Sequence, residues 1–183
     1  MVDFAKLLRD GPPPPPKVPG LIVGVTGHRP DKLFSSPELR DGYDLNSYLR
    51  RVAWKGPMPD VVGVSGGAIG IDQDACGVWY RMGVAYLLML PFPGQEARWP
   101  RESQAVYRQL LDKAAGVIYV SEKAPKTDEE AAEMLKRRNE WVCGPSDELF
   151  AVWDGSRGGT MNCVNFWRRC DRSEILIDPR ELR

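Results

Sequence analysis

The sequence predicts a doubly wound α/β domain, with one mostly parallel sheet and helices on both faces. Two observations carry the prediction. Short runs of apolar, largely β-branched residues alternate with helix-period segments from Leu21 to Asp178, and two of these runs pass through glycine-rich turns straight into helices. A continuous apolar strand is what burial on both faces of a parallel sheet produces, and right-handed crossovers complete the winding. With 183 residues, 43% hydrophobic and 27% charged, the chain suffices for one well-buried domain and is short for two.

Residues 1–19 read as an arm. Val2, Phe4, Leu7 and Leu8 suit a turn or two of amphipathic helix, but Pro12 to Pro16 donate no backbone hydrogen bonds and favour a stiff spacer. The domain therefore starts at residue 20 and runs to 183. Its first strand is Leu21 to Thr26, and a capped helical segment follows from Ser36 to Trp54. Val61 to Val64 make the central strand, the glycines Gly66, Gly67 and Gly70 a turn, and Ile71 to Met82 a helix. Val84 to Pro91 is a third strand, followed by a helix from Arg101 to Ala114 with Val106, Leu110 and Leu111 inward. Gly116 to Ser121 is the fourth strand, and Thr127 to Trp141 a helix opened by a capping-box spelling. Asp147 to Asp154 holds the fifth strand, Gly155 to Thr160 a second glycine turn, Met161 to Arg169 a helix, and Glu174 to Asp178 a last short strand.

Formal net charge is zero, 25 basic against 25 acidic residues, so no global field draws the protein to nucleic acid or an anionic membrane. Cys76, Cys143, Cys163 and Cys170 form no Cys-x-x-Cys pair and come with a single histidine, which points to reduced thiols and to no metal site. There is no basic-then-apolar leader and no apolar run of membrane-spanning length, so a soluble, cytoplasmic protein without a membrane partner is expected.

Ligands of parallel sheets bind outside the carboxyl ends of the strands. Gly27, His28 and Arg29 fall at such an end. His28 suits a phosphate donor, a general acid or base, or a turn-stabilising hydrogen bond, and the planar fork of Arg29 suits phosphate or a neighbouring carboxylate. Ser65, Gly66, Gly67 and Gly70 give a turn whose backbone N–H groups can approach an anion at a helix N-terminus. Asp72 reads evenly as a helix-start carboxylate or as one that orients a ribose hydroxyl or water, whereas Asp74 reads as the former. Gln95 and Trp99 offer an amide and a stacking face after the third strand, and Trp99 equally suits a hydrophobic lid over the next helix. Arg138 and Asn139 close a helix, where they suit either a reach across to the site or a solvated, dipole-favoured terminus, and Asp154 with Gly158, Gly159 and Thr160 repeats the strand, glycine turn and helix logic.

Val64-Ser65-Gly66-Gly67-Ala68-Ile69-Gly70-Ile71-Asp72 resembles the Ser-Gly-x-Ala-x-Gly-Ile-Asp motif of DprA-type proteins in the DprA/LOG (SLOG) superfamily. Its YpsA-like branch is resembled by three further blocks. These are Thr26 to Pro30, Pro91-Phe92 with Gln95 and Trp99, and Arg138-Asn139 leading through Ser146-Asp147 to Trp153-Asp154 and Gly158-Gly159-Thr160. The resemblance implies a Rossmann-like nucleotide-binding domain, commonly a homo-oligomer, with its pocket along the strand ends.

On this reading the chain is a sensor or binding module for a nucleotide-derived small molecule of ADP-ribose type, with no further cofactor. Its phosphates would lie on both glycine turns, with His28 and Arg29 neutralising charge and Gln95 and Trp99 holding the base. A nucleotide N-glycosidase is the first alternative. LOG hydrolases carry Pro-Gly-Gly-x-Gly-Thr-x-x-Glu, this chain lacks the matching glutamate, and Asp72 would be the working catalytic carboxylate. DprA-like binding of single-stranded DNA is the second, opposed by the neutral net charge and the lack of a dense Lys/Arg tract.

Overall fold

The computed structural model describes residues 20–33, 61–172 and 174–179. The expected arm (1–19) and the helix expected between Ser36 and Trp54 lie outside the described residues.

The elements follow in the order β1 (Leu21–Gly27), α1 (Pro30–Leu33), β2 (Val61–Ser65), α2 (Ile71–Met82), β3 (Ala85–Leu90), α3 (Arg101–Lys113), β4 (Gly116–Tyr119), α4 (Asp128–Cys143), β5 (Glu148–Val152), α5 (Gly159–Arg169) and β6 (Ile175–Ile177). The strands form one six-stranded sheet in the order β4-β3-β2-β1-β5-β6, every pair parallel. From β1 the chain winds outward through β2, β3 and β4, then crosses back to the other side of β1 for β5 and β6. The winding therefore reverses at β1 and β5, the switch point where open α/β sheets leave a crevice.

Alternation along the strands loads both faces. Val23, Val25, Tyr86, Leu88, Leu90, Phe150 and Val152 pack against Ile71, Val78 and Trp79 of α2 and Tyr107 and Leu110 of α3. The intervening residues turn the other way. Ile22, Val64 and Met89 meet Trp141 and Val142 of α4, while Leu149 meets Cys163 and Trp167 of α5. This is the sandwich of helix, sheet and helix that the continuous apolar runs require. At α4, Thr127 accepts the Glu130 N–H through its side chain at 3.2 Å, as the capping-box spelling predicts.

One inward assignment is corrected. Val106 is 47% exposed, whereas Tyr107 and Leu110 are buried. Each helical residue is rotated by about 100° from the last, so the stripe set by Tyr107 and Leu110 turns Val106 to solvent. Among the described residues, no helix is long and apolar enough to cross a membrane.

Gly63 in the centre of β2 marks a close approach of helix to sheet. A Cβ built there lies 2.4 Å from the ring of Trp79, itself buried. Gly63→Ala should therefore lower stability by about 1–3 kcal/mol through overpacking, read as a shift of the urea midpoint. A midpoint unchanged from the parent would contradict this packing.

Candidate functional site

At the switch point, the turns that follow β1 and β5 are joined across a large sequence separation. The His28 backbone N–H donates to the Val152 carbonyl at 3.2 Å. The buried imidazole of His28 reaches Asp154, with Nε2 at 2.6 Å from Oδ1. The same nitrogen lies 3.2 Å from the backbone N–H of Asp154, a contact that would require Nε2 to be bare. The carboxylate decides between them. The backbone N–H of Ser156, and to a smaller extent His28, hold the Asp154 carboxyl well below its usual range, so it is ionised and only accepts. Nε2 therefore carries a proton and donates.

A second clasp lies beside the first. Leu33 buries itself and anchors α1, and Lys32 Nζ donates to Ser156 Oγ at 3.1 Å and to the Arg157 carbonyl at 2.8 Å. The Ser156 N–H donates to Asp154 Oδ1 at 2.8 Å, and Trp153 Nε1 donates to the Ser156 carbonyl at 2.7 Å. The loop leading to α5 is thus fixed from both ends.

The turn after β2 is closed differently. The Gly67 N–H donates to Ser65 Oγ at 3.1 Å, the Ala68 N–H to Asp72 Oδ2 at 3.3 Å, and the Ile71 N–H to the His28 carbonyl at 3.4 Å. Gly70 has φ 97°, and a Cβ there would sit 2.6 Å from the His28 carbonyl oxygen, so only glycine lets the two turns touch. At Gly66 the close neighbour is Arg138, whose Nη1 would lie 1.5 Å from a built Cβ. Arg138 also donates through Nη1 to Asp72 Oδ2 at 3.0 Å, and both side chains are buried. Burial pushes the Asp72 carboxyl above its usual range, opposed first by the Arg138 charge and then by the Ala68 N–H.

Between these turns and α4 opens a cleft of about 540 Å³. Thr26, Gly27 and His28 line it at the β1 end, and Ala68 and Asp72 at the β2 turn. Ala132, Leu135, Arg138 and Asn139 line it from α4, and Gly158, Gly159, Thr160 and Asn162 from α5. The cationic side chains of Arg29, Lys32, Lys136 and Arg138 share this lining with a single carboxylate, Asp72. At the start of α5 the Asn162 N–H closes on the Gly158 carbonyl at 3.2 Å, so the N–H groups of Gly159, Thr160 and Met161 have no acceptor within the helix. Asn139 Nδ2 donates to the Gly159 carbonyl at 3.3 Å and holds α4 against this helix start.

Of the residues singled out in the sequence, Gly27, His28, Arg29, Asp72, Arg138, Asn139, Gly158, Gly159 and Thr160 are brought to one cleft. Asp154 stands behind it through His28. Ser65, Gly66, Gly67 and Gly70 shape the β2 turn but are not among the cleft-lining residues. Gln95 and Trp99 are placed elsewhere. Gln95 Nε2 donates to the Tyr107 hydroxyl at 2.9 Å, and the Trp99 ring meets the Tyr107 ring edge-on with centroids 5.2 Å apart. Sequence reasoning missed Lys32, Ala132, Leu135, Lys136 and Asn162, and held Thr26 and Ala68 only as parts of motifs. The signal for Leu135 and Lys136 was their placement about one turn ahead of Arg138-Asn139 on the same helix face.

Comparison with known proteins follows the same outline. The family model for DNA recombination-mediator protein A matches residues 45–182. The chain is 29% identical over 117 residues to the Uncharacterized SPbeta prophage-derived protein YoqJ of Bacillus subtilis (strain 168), covering 58% of this chain and 68% of that one. It is 26% identical over 151 residues to a UPF0398 protein of Bacillus thuringiensis (strain Al Hakam), covering 78% and 79%. Among solved structures, DNA processing protein A (DprA) from Streptococcus pneumoniae superposes with a TM-score of 0.57 at 16% identity, over 94% of this chain and 52% of that one. The chain thus spans about half the length of that protein. DprA from Helicobacter pylori, whose structure describes a single-stranded DNA binding mode, gives 0.57 at 18% identity over 93% and 67%. At these identities the structural likeness speaks for the fold.

Proposed function

The chain belongs to the DNA recombination-mediator protein A family, and from that premise we propose that it is a nucleic-acid- or nucleotide-binding module whose ligand is single-stranded DNA, held by its phosphates in the cleft between β1, β5 and α4. The observation that carries this reading is the local charge imbalance. Arg29, Lys32, Lys136 and Arg138 surround a helix start with unspent N–H groups, against Asp72 alone. Zero net charge over the whole chain conceals that asymmetry. One phosphate takes the Gly159 and Thr160 N–H groups, where the helix dipole favours negative charge, and its neighbours along the strand meet the exposed Arg29, Lys32 and Lys136. The relative from Helicobacter pylori, described with single-stranded DNA, supports this over the ADP-ribose-like ligand that the sequence alone favoured.

Binding of this kind depends on salt. For a fluorescein-labelled oligothymidylate, log affinity should fall with log salt concentration at a slope of roughly −0.7 for each phosphate neutralised, about −2 for three. Titration by fluorescence anisotropy between about 50 and 200 mM NaCl reads it directly. No binding at the low-salt end, or an affinity indifferent to salt, would reject single-stranded DNA as the ligand.

A second reading has its own observation. A cleft of about 540 Å³ is the size of a small-molecule pocket, typically about 300–1,000 Å³. A nucleotide-derived small molecule would then bind with one-to-one stoichiometry and displace the oligothymidylate.

A further inference from the structure

Phosphate recognition leaves the base unplaced, and Gln95 and Trp99 are engaged with Tyr107. Resting on the reading just given, we propose that the nucleobase beside the bound phosphate lies on an aliphatic shelf formed by Leu135 and Ala132 of α4, completed by Ala68.

The anion-binding groups of the cleft lie mostly on its β1 and α5 sides, joined from α4 by Lys136 and Arg138. The β1 and α5 sides present Arg29, Lys32 and the helix start at Gly159, all suited to an anion. Ala68, Ala132 and Leu135 are the aliphatic side chains in its lining, and two of them lie on α4. That helix is held in register by Asn139, whose amide donates to the Gly159 carbonyl in the first turn of α5. Leu135 is one turn back from Asn139, about 6 Å along the axis, and Ala132 about 10 Å. These separations along α4 from Asn139 are on the scale of one nucleotide. Leu135 is half-buried and Ala132 exposed, so a flat ring can cover both without displacing a packed side chain.

The shelf has a consequence for specificity. A base lying on aliphatic groups gains from burial but has no aromatic partner, so it contributes less than the stacked bases of single-strand binders and is read with little regard to sequence. The ligand class is therefore a nucleotide unit with any base, recognised by phosphate and by the presence of a planar apolar ring.

The test compares a labelled decathymidylate with an abasic decamer carrying the same phosphates. The parent should prefer the base-bearing strand by about fivefold, the low end of what one stacked base supplies. Leu135→Ser should reduce that preference to near unity while leaving affinity for the abasic strand unchanged, and Leu135→Met should preserve it. A preference that survives Leu135→Ser, or a fall in both affinities together, overturns the shelf. Equal binding of both strands by the parent overturns it while the phosphate site stands. Binding of neither strand removes the shelf and the proposed function together.

Discussion

Replacing Arg138 with methionine is expected to lower the stability of the fold by about 3–5 kcal/mol, the usual cost of removing one partner from a buried ion pair. Methionine retains much of the aliphatic stem, so the loss falls on the charge. In the parent, Arg138 Nη1 meets Asp72 Oδ2 at 3.0 Å with both side chains under a tenth exposed. Without the guanidinium, the buried Asp72 carboxylate keeps the Ala68 N–H at 3.3 Å and the Arg29 charge across the cleft. Burial already raises its pKa above 3.8, and loss of the Arg138 charge raises it further. The sign of the pH dependence follows. A carboxyl that binds its proton more tightly when folded makes the folded state less stable as pH rises through its folded pKa. Arg138→Met should therefore recover stability as pH falls from neutral toward 3.8, the ordinary value. Adding Asp72→Asn removes the orphaned charge and should restore most of the loss at pH 7, a coupling that a double-mutant cycle isolates. Urea unfolding at pH 7 and pH 5 measures all of this, and a thermal midpoint lower by about 10 °C should accompany it. If Arg138→Met lost under 1 kcal/mol, or the same amount at both pH values, the pair would not be holding the β2 turn.

That pair also shows where local sequence stops being informative. Strand and helix positions were legible because apolar continuity and helical period are local properties. β2 begins at Val61, α2 at Ile71 and α3 at Arg101, as the patterns indicate. The motif around Ser65 to Asp72 likewise pointed correctly to the family. A glycine, however, says only that something approaches the backbone. At Gly66 the visitor is Arg138 and at Gly70 the His28 carbonyl, both contributed by the chain itself from distant positions. The Asp72–Arg138 and His28–Asp154 contacts join residues 66 and 126 positions apart, separations that no window along the chain can report. Gln95 and Trp99 lie away from the cleft for a topological reason. Their loop follows the carboxyl end of a strand, as a ligand loop should, but β3 stands two places from β1 on the side away from β5. Only the strand order shows which strand ends share the crevice.

The same distinction between the two glycine turns yields the sharpest test of function. Gly159→Asp should leave the protein folded and reduce oligothymidylate affinity by at least about a hundredfold, roughly 3 kcal/mol. A Cβ at Gly159 meets only Asn139 Nδ2, at 3.4 Å, and Gly159 is the first residue of α5. A carboxylate in the first turn of a helix is favoured by about 0.3–1 kcal/mol, so the thermal midpoint should hold or rise slightly. The new carboxylate then claims the unspent N–H groups and places a negative charge where the phosphate must sit, so stability and binding move in opposite directions. Gly67→Asp does not separate the two. Gly67 has φ 65°, and its Cβ would point at Tyr107, 3.2 Å away, so loss of binding there would report a disturbed fold. A folded Gly159→Asp protein that binds the oligonucleotide as tightly as the parent would show that the phosphate lies elsewhere. The cationic rim of Arg29, Lys32 and Lys136 would then remain as a surface without a centre.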